Sequence, residues 1–198
     1  MTSRVSCDTM KKNKGGLFVT ILCDIDNVLN NFSFALLERL NVRDGTNYDY
    51  EDISHYGWFE EHFENPWEPT QDMFFWDFAY YYTDALNTLQ NFVRQGHKVY
   101  LVTASHFSDT LGYKINTLLN LMNSNLINEK NIIIAQDKTT IKGDVLIDDC
   151  YENIRDFCRA GGNCILFTQP WNKRYTWPWK TNDWTAIKNI IDSATPRK

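Results

Sequence analysis

Apolar positions in this chain gather into short runs that stop at acidic residues. The first, Leu17-Phe18-Val19-Thr20-Ile21-Leu22-Cys23, closes on Asp24-Ile25-Asp26, and a later one, Val145-Leu146-Ile147, closes on Asp148-Asp149. Unbroken Val/Ile/Leu runs of this length read as strands buried on both faces. The pattern predicts strands over 17–23, 98–103, 131–135, 144–148 and 163–167. Helix-like segments fall between them, at about 27–40, 84–96, 108–122 and 150–160, with a last one near 183–193. Strands alternating with helices imply βαβ units and a parallel sheet covered on both sides. Gly96, Gly143 and Gly161-Gly162 stand just before strands, where helix-to-strand turns want them.

The span 41–82 breaks this alternation. It holds fourteen aromatic residues, from Tyr48 to Tyr82, among several acids and two prolines. Linkers lack large apolar groups, so the segment reads as a cap over the strand ends, with most of its rings forming a small core of their own. Residues 1–16, aperiodic and ending in Gly15-Gly16, read as a flexible leader. The expected organisation is therefore that leader, an α/β core made of 17–40 and 83–198, and an aromatic-rich, mainly helical cap at 41–82.

A length of 198 residues suits one core domain with room for such an insertion. Twenty basic against 25 acidic residues give a net charge of −5, which argues against nucleic acid as a partner, since backbone-phosphate affinity needs clustered Lys and Arg. A small phosphorylated molecule stays open as a ligand. No apolar stretch approaches the roughly 20 residues that span a bilayer, and the polar N-terminus through Lys14 is no signal peptide. A soluble, cytoplasmic protein without a membrane partner is expected. The five cysteines, odd in number and without metal-type pairing, read as reduced thiols.

The candidate chemistry lies in the acids. Ligands of open α/β sheets bind beyond the C-terminal ends of the strands, which is where these runs deliver their carboxylates. Four such groups at two strand ends would repel one another without a cation between them, and an all-oxygen ligand set points to magnesium. An Asp-x-Asp pair taken alone is weak evidence, because glycosyltransferases also use one to hold metal-bound sugar nucleotides.

Asp24-Ile25-Asp26-Asn27-Val28-Leu29, Leu101-Val102-Thr103, Lys138 and Asp148-Asp149 together resemble, in order and placement, the four motifs of the haloacid dehalogenase (HAD) superfamily of phosphohydrolases. Finer likeness is carried by Val102-Thr103-Ala104-Ser105-His106, Asp137-Lys138-Thr139, Gly143-Asp144-Val145-Leu146-Ile147-Asp148-Asp149 and Phe167-Thr168-Gln169-Pro170-Trp171-Asn172, which are similar to the bacterial and phage branch of the 5'(3')-deoxyribonucleotidases. The resemblance implies a Rossmann-like core and Asp24 as the nucleophile that forms an aspartyl phosphate. It implies a Mg²⁺ held by the Asp24 side chain, the Asp26 backbone carbonyl and an acid of the final pair. Asp149 would be the direct ligand and Asp148 would orient metal-bound water, although sequence leaves the reverse open.

Asp26 would serve as general acid and base, and an ordinary Asp is a poor acid at neutral pH, so burial under the cap or hydrogen bonding should help it keep a proton. Thr103 would donate to a phosphoryl oxygen, with Ala104 beside it in the substrate site, and Lys138 would offset the phosphate charge. Outside that series, Thr103 fits a plain strand end and Lys138 a solvated loop lysine, with Lys142 a nearby competitor. His106 is assigned to local hydrogen bonding, because the implied mechanism needs no histidine. The chain departs from the mammalian members, which have a serine, a lysine and an arginine where Ala104, Phe107 and Gln136 stand. Those losses put the mammalian substrate preference in doubt and leave the metal and nucleophile intact.

Phe32 matches the family's base-pocket phenylalanine, followed by Trp58 and Trp76 as further substrate contacts; stacking on a ring contributes about 1–3 kcal/mol per base. Trp171, Trp177, Trp179 and Trp184 read as packing against the sheet edge. The expected activity is hydrolysis of a nucleoside monophosphate, most simply a deoxyribonucleotide, with a homodimer compatible with the sequence. Rival readings are a HAD phosphatase for another small ester such as a sugar phosphate, a catalytically silent nucleotide-binding module, and a nucleic-acid phosphatase, which the acidic balance disfavours.

Overall fold

Five of the six strands form where the apolar runs stand: β1 (Thr20–Asp24), β2 (Lys98–Thr103), β3 (Ile132–Ile134), β4 (Val145–Asp148) and β5 (Asn163–Phe167). The structure, a computed structural model, describes residues 18–104 and 110–194. The leader expected at 1–16 lies outside the described residues, as do His106 and Phe107. A two-residue β6 (Lys180–Thr181) adds to β5, giving an all-parallel sheet in the order β3-β2-β1-β4-β5-β6. β6 has no apolar run to announce it.

Side chains alternate across the sheet because successive residues of a strand point to opposite faces. Ile21, Cys23, Val99, Leu101, Val145, Ile147 and Ile165 join one apolar cluster, while Leu22, Val102, Leu146, Cys164 and Leu166 join another. The first face is covered by helices α4 (Thr83–Arg94), α5 (Leu111–Asn120) and α7 (Trp184–Ala194), through residues such as Leu89, Phe92, Leu118 and Ile187. The second is covered by α6 (Tyr151–Arg159), through Ile154 and Phe157. Gly162 is required where the chain turns from α6 into β5, since a Cβ there would lie 2.1 Å from the Phe157 ring.

Chain order runs outward from β1 through β2 to β3 and then crosses to β4 on β1's other side. The connections therefore diverge between β1 and β4, opening the kind of crevice in which α/β sheets bind ligands. The two acid-ended strands flank it.

The expected helix from residue 27 begins only at Phe32, as α1 (Phe32–Asp44). Asn27 takes a left-handed conformation (φ 61°), which ends β1 in a turn. Side chains of that turn then start the helix. Asn27 Oδ1 accepts from the Ser33 N–H (2.8 Å), and Asn30 Oδ1 accepts from the N–H groups of Asn27 (3.0 Å) and Phe32 (3.2 Å).

Helix α1 packs with the insertion rather than the sheet. Ala35, Leu36, Leu37 and Leu40 share a cluster with Ile53, Phe63, Phe75 and Ala79. The insertion itself is built from one-turn segments and the short helices α2 (Trp58–His62) and α3 (Phe75–Phe78). At its neck an isolated bridge joins Asn30 to Tyr81, with Asn31 N–H donating to the Tyr80 carbonyl (3.2 Å) and Tyr82 N–H to the Leu29 carbonyl (2.8 Å). Helix α1 thus shares its apolar cluster with the insertion.

No described helix is long and apolar enough to cross a membrane. Cys23, Cys150 and Cys164 are free and buried, whereas Cys158 is disulfide-bonded, against the reading of every cysteine as reduced.

Candidate active site

Parallel neighbours of matched length end side by side. Cys23 is in register with Ile147, so Asp24 and Asp148 emerge together from β1 and β4, with Asp149 one residue beyond. All three acids are buried, and one ligand oxygen from each lies within 4.8 Å of the others.

Among the described residues, the cation that answers them is Lys138. Lys138 sits in a one-turn helix whose first N–H groups are capped by Asp137, which accepts from Thr139 N–H (2.9 Å). Its Nζ donates to Asp24 Oδ1 and to Asp148 Oδ2, both at 2.6 Å. At 2 % exposure it is no solvated loop lysine.

Three carboxylates and one ammonium leave the cluster negative when all are ionised. Burial pushes the Asp24 carboxyl up to about 7; Lys138 pulls it down, while Asp148 and Asp26 push it up again. Burial, then Asp24 and Asp148, hold Asp149 well above the usual carboxylate range. For Lys138, burial favours loss of the proton, but Asp148 and Asp24 outweigh it and keep the ammonium above the ordinary lysine range. A buried, all-oxygen, net-negative cluster fits a hard divalent cation.

The two acids of the final pair differ in their surroundings. Both oxygens of Asp148 are taken: Oδ1 accepts from Cys150 N–H (2.8 Å), and Oδ2 accepts from Lys138 and from Asn153 Nδ2 (3.1 Å). Asp149 accepts through Oδ2 from Trp171 Nε1 (3.1 Å), and its carbonyl accepts from Asn172 Nδ2 (2.8 Å). Trp171 is therefore more than sheet-edge packing, because its indole N–H orients one acid of the cluster. Trp177, Trp179 and Trp184 do pack against the sheet's clusters.

Asp26 stands apart from the three. Its carboxylate, a quarter exposed, is hydrogen-bonded by an ammonium. That ammonium belongs to Lys114 of α5, which is 1 % exposed, donates to Asp26 Oδ2, and also reaches Thr103 Oγ1 (3.1 Å) at the end of β2. Sequence reasoning missed Lys114. The available signal was its place on a stripe of i, i+4 positions, Thr110–Lys114–Leu118–Met122, all of them buried. Thr103 is buried, and the Ala104 carbonyl beside it accepts from Gln136 Nε2 (3.0 Å).

Of the expected substrate contacts, Phe32 and Trp76 come together, stacked with ring centroids 5.7 Å apart and 20° between planes. Trp58 lies elsewhere in the cap core, stacked on His62 at 4.1 Å and edge-on to Tyr48 and Phe63. Gln169 fastens the cap to the acid loop, accepting from Tyr50 OH (2.9 Å) and donating to the Asn27 carbonyl (2.5 Å).

Solved structures that share this fold include three hydrolases. A haloacid dehalogenase-like hydrolase from Streptococcus pneumoniae matches with a TM-score of 0.56 at 10% identity, over 88% of this chain and 99% of its own. A HAD family hydrolase from Deinococcus radiodurans, solved with phosphate and sodium, gives 0.56 at 14% identity, over 91% and 97%. The HAD-hydrolase YfnB from Bacillus subtilis, bound to magnesium, gives 0.53 at 14% identity, over 88% and 99%. No curated protein matches the chain. The family described as "5' nucleotidase, deoxy (Pyrimidine), cytosolic type C protein" matches residues 18–196, and with nearly the whole chain covered, this protein belongs to that family.

Proposed function

We propose that this protein is a magnesium-dependent phosphatase that hydrolyses nucleoside monophosphates, deoxyribonucleotides foremost, through a phosphorylated Asp24. The observation that carries the reading is the convergence of Asp24, Asp148, Asp149 and Lys138 in the crevice between two parallel strands. Asp24 and Asp149 would hold the cation together with the Asp26 backbone carbonyl. Asp148, its oxygens already engaged, would act on the outer shell. When bound, the metal neutralises the approach of carboxylate to phosphate. The neighbours solved with magnesium, and with phosphate and sodium, agree with this choice.

Asp24 attacks phosphorus as the bond to the ester oxygen breaks; that oxygen leaves with the electron pair and takes a proton from Asp26. Asp26 then removes a proton from water, which attacks phosphorus and releases Asp24 and inorganic phosphate. Lys138 keeps Asp24 aimed and offsets charge throughout. Phe32, half-buried and backed by the buried Trp76, is the ring best placed to meet a base. The substrate is a free small molecule in the cytoplasm, with neither nucleic acid nor membrane as partner.

Phosphate release measured across nucleotides and sugar phosphates, with Mg²⁺ and with chelator, tests the reading. Turnover of nucleotides that needs Mg²⁺ and vanishes in Asp24→Asn is the expected result. Faster turnover of sugar phosphates would move the substrate class, and undiminished turnover by D24N would overturn the nucleophile.

A further inference from the structure

We infer that Lys114 is a positioning residue for this chemistry, fixing both the plane of the Asp26 carboxylate and the direction in which Thr103 donates, and tying both to the cap through Trp76. The inference rests on the reading above that Asp26 hands a proton to the leaving oxygen.

The physical case begins with the cost of burying a lysine. At 1 % exposure its ammonium has given up water and must find replacements for three N–H donors. Two go to Asp26 Oδ2 and Thr103 Oγ1. The third has the Trp76 ring, whose centroid lies 5.1 Å from Nζ, within cation–π range.

Direction follows from this. An ammonium only donates, so Thr103 Oγ1 must accept from it, and the threonine's own proton is left to point elsewhere. That frees the hydroxyl to donate to an incoming phosphoryl oxygen. Asp26 is held likewise from two sides, Oδ2 by Lys114 and Oδ1 by Asn30 Nδ2 (3.4 Å). The carboxylate plane is thereby set by one residue of α5 and one of the loop after β1.

The third contact reaches the cap. Trp76 of α3 stacks on Phe32, so the ring pair that would meet a base also covers the lysine that aims the acid. Cap placement and proton-transfer geometry are thus joined in one side chain.

The test compares a nucleoside 5'-monophosphate, whose alkoxide leaves only with a proton, with p-nitrophenyl phosphate, whose phenolate leaves without one. Lys114→Met should lower kcat on the nucleotide about 100-fold, the scale of a misplaced general acid, and on the aryl ester less than about tenfold. Lys114→Arg keeps the charge but not the three-way ammonium geometry, so it should recover part of the activity and show the same skew at smaller size. Methionine extends an apolar stripe already present, and the arginine variant keeps the test decisive if the methionine variant folds poorly. Equal losses on both esters, or no loss in either variant, would overturn the role. If the wild type cleaves the aryl ester and ribose 5-phosphate but no nucleotide, the nucleotide reading falls while the skew is still read against the sugar phosphate.

Discussion

Asp24→Asn should make the metal-free protein more stable at neutral pH while removing its turnover. Burial raises the Asp24 carboxyl from 3.8 to about 7. An acid whose folded value lies above its unfolded one keeps its proton in the folded state across that interval. Its stability is fully present below the unfolded value and is lost as pH rises toward the folded one. Across that interval the linkage is on the order of a few kcal/mol, shared with Asp149, whose carboxyl is itself held up by the Asp24 charge. The side chain is only 12 % exposed, so solvent screening removes little of it. Asparagine is nearly isosteric, carries no charge and can still accept from Lys138. Urea denaturation in chelator, from about pH 5 to pH 8, should show D24N pulling ahead of the wild type as pH rises toward 7. Saturating Mg²⁺ should close the gap, because it stabilises the wild type more than the variant. A D24N protein that is less stable than wild type in chelator at pH 8, or a gap independent of pH, would refute the account of the cluster's charge.

Other consequences can be measured separately. Trp171→Phe keeps most of the ring but removes the N–H that Asp149 accepts, so calorimetry should find Mg²⁺ binding weakened about tenfold or more with the fold retained. His97 accepts the Val19 N–H through Nδ1 (3.2 Å), and burial lowers its pKa below the ordinary 6.5. The folded state therefore holds this imidazole neutral, and the stability it contributes is lost as pH falls through 6.5; in thermal scans His97→Gln should flatten that acid-side loss relative to wild type. Gly162→Ala places a methyl against the Phe157 ring and should cost about 1–3 kcal/mol in chemical denaturation while leaving turnover per folded molecule unchanged.

What could be read from the sequence was whatever a periodic pattern encodes. Buried parallel strands have no polar face, so β1, β2, β4 and β5 declared themselves, and with them the acids at their ends. Strand β6 was silent because two residues paired to Leu166 and Phe167 need no apolar run. The start of α1 was misplaced because Asn27 and Asn30, which start it by side-chain capping, lie in the turn before it rather than at its first residue. Its packing against the insertion was hidden too, since an apolar helix face does not say which partner it meets. Lys138 was legible through its motif. Lys114 and Trp171 were not, because their roles arise from contacts with Asp26 and Asp149 across 88 and 22 residues of chain.

The neck at Asn30–Tyr81 has a bearing on how such proteins diversify. Because departure and return of the chain are bonded at one spot, β1 and α4 can keep their places when residues inside the insertion change, provided that Trp76 still covers Lys114 and Tyr50 still meets Gln169. Selection can thus vary much of the lid, trading one substrate for another, as long as those two anchors to the hydrolytic machinery are kept.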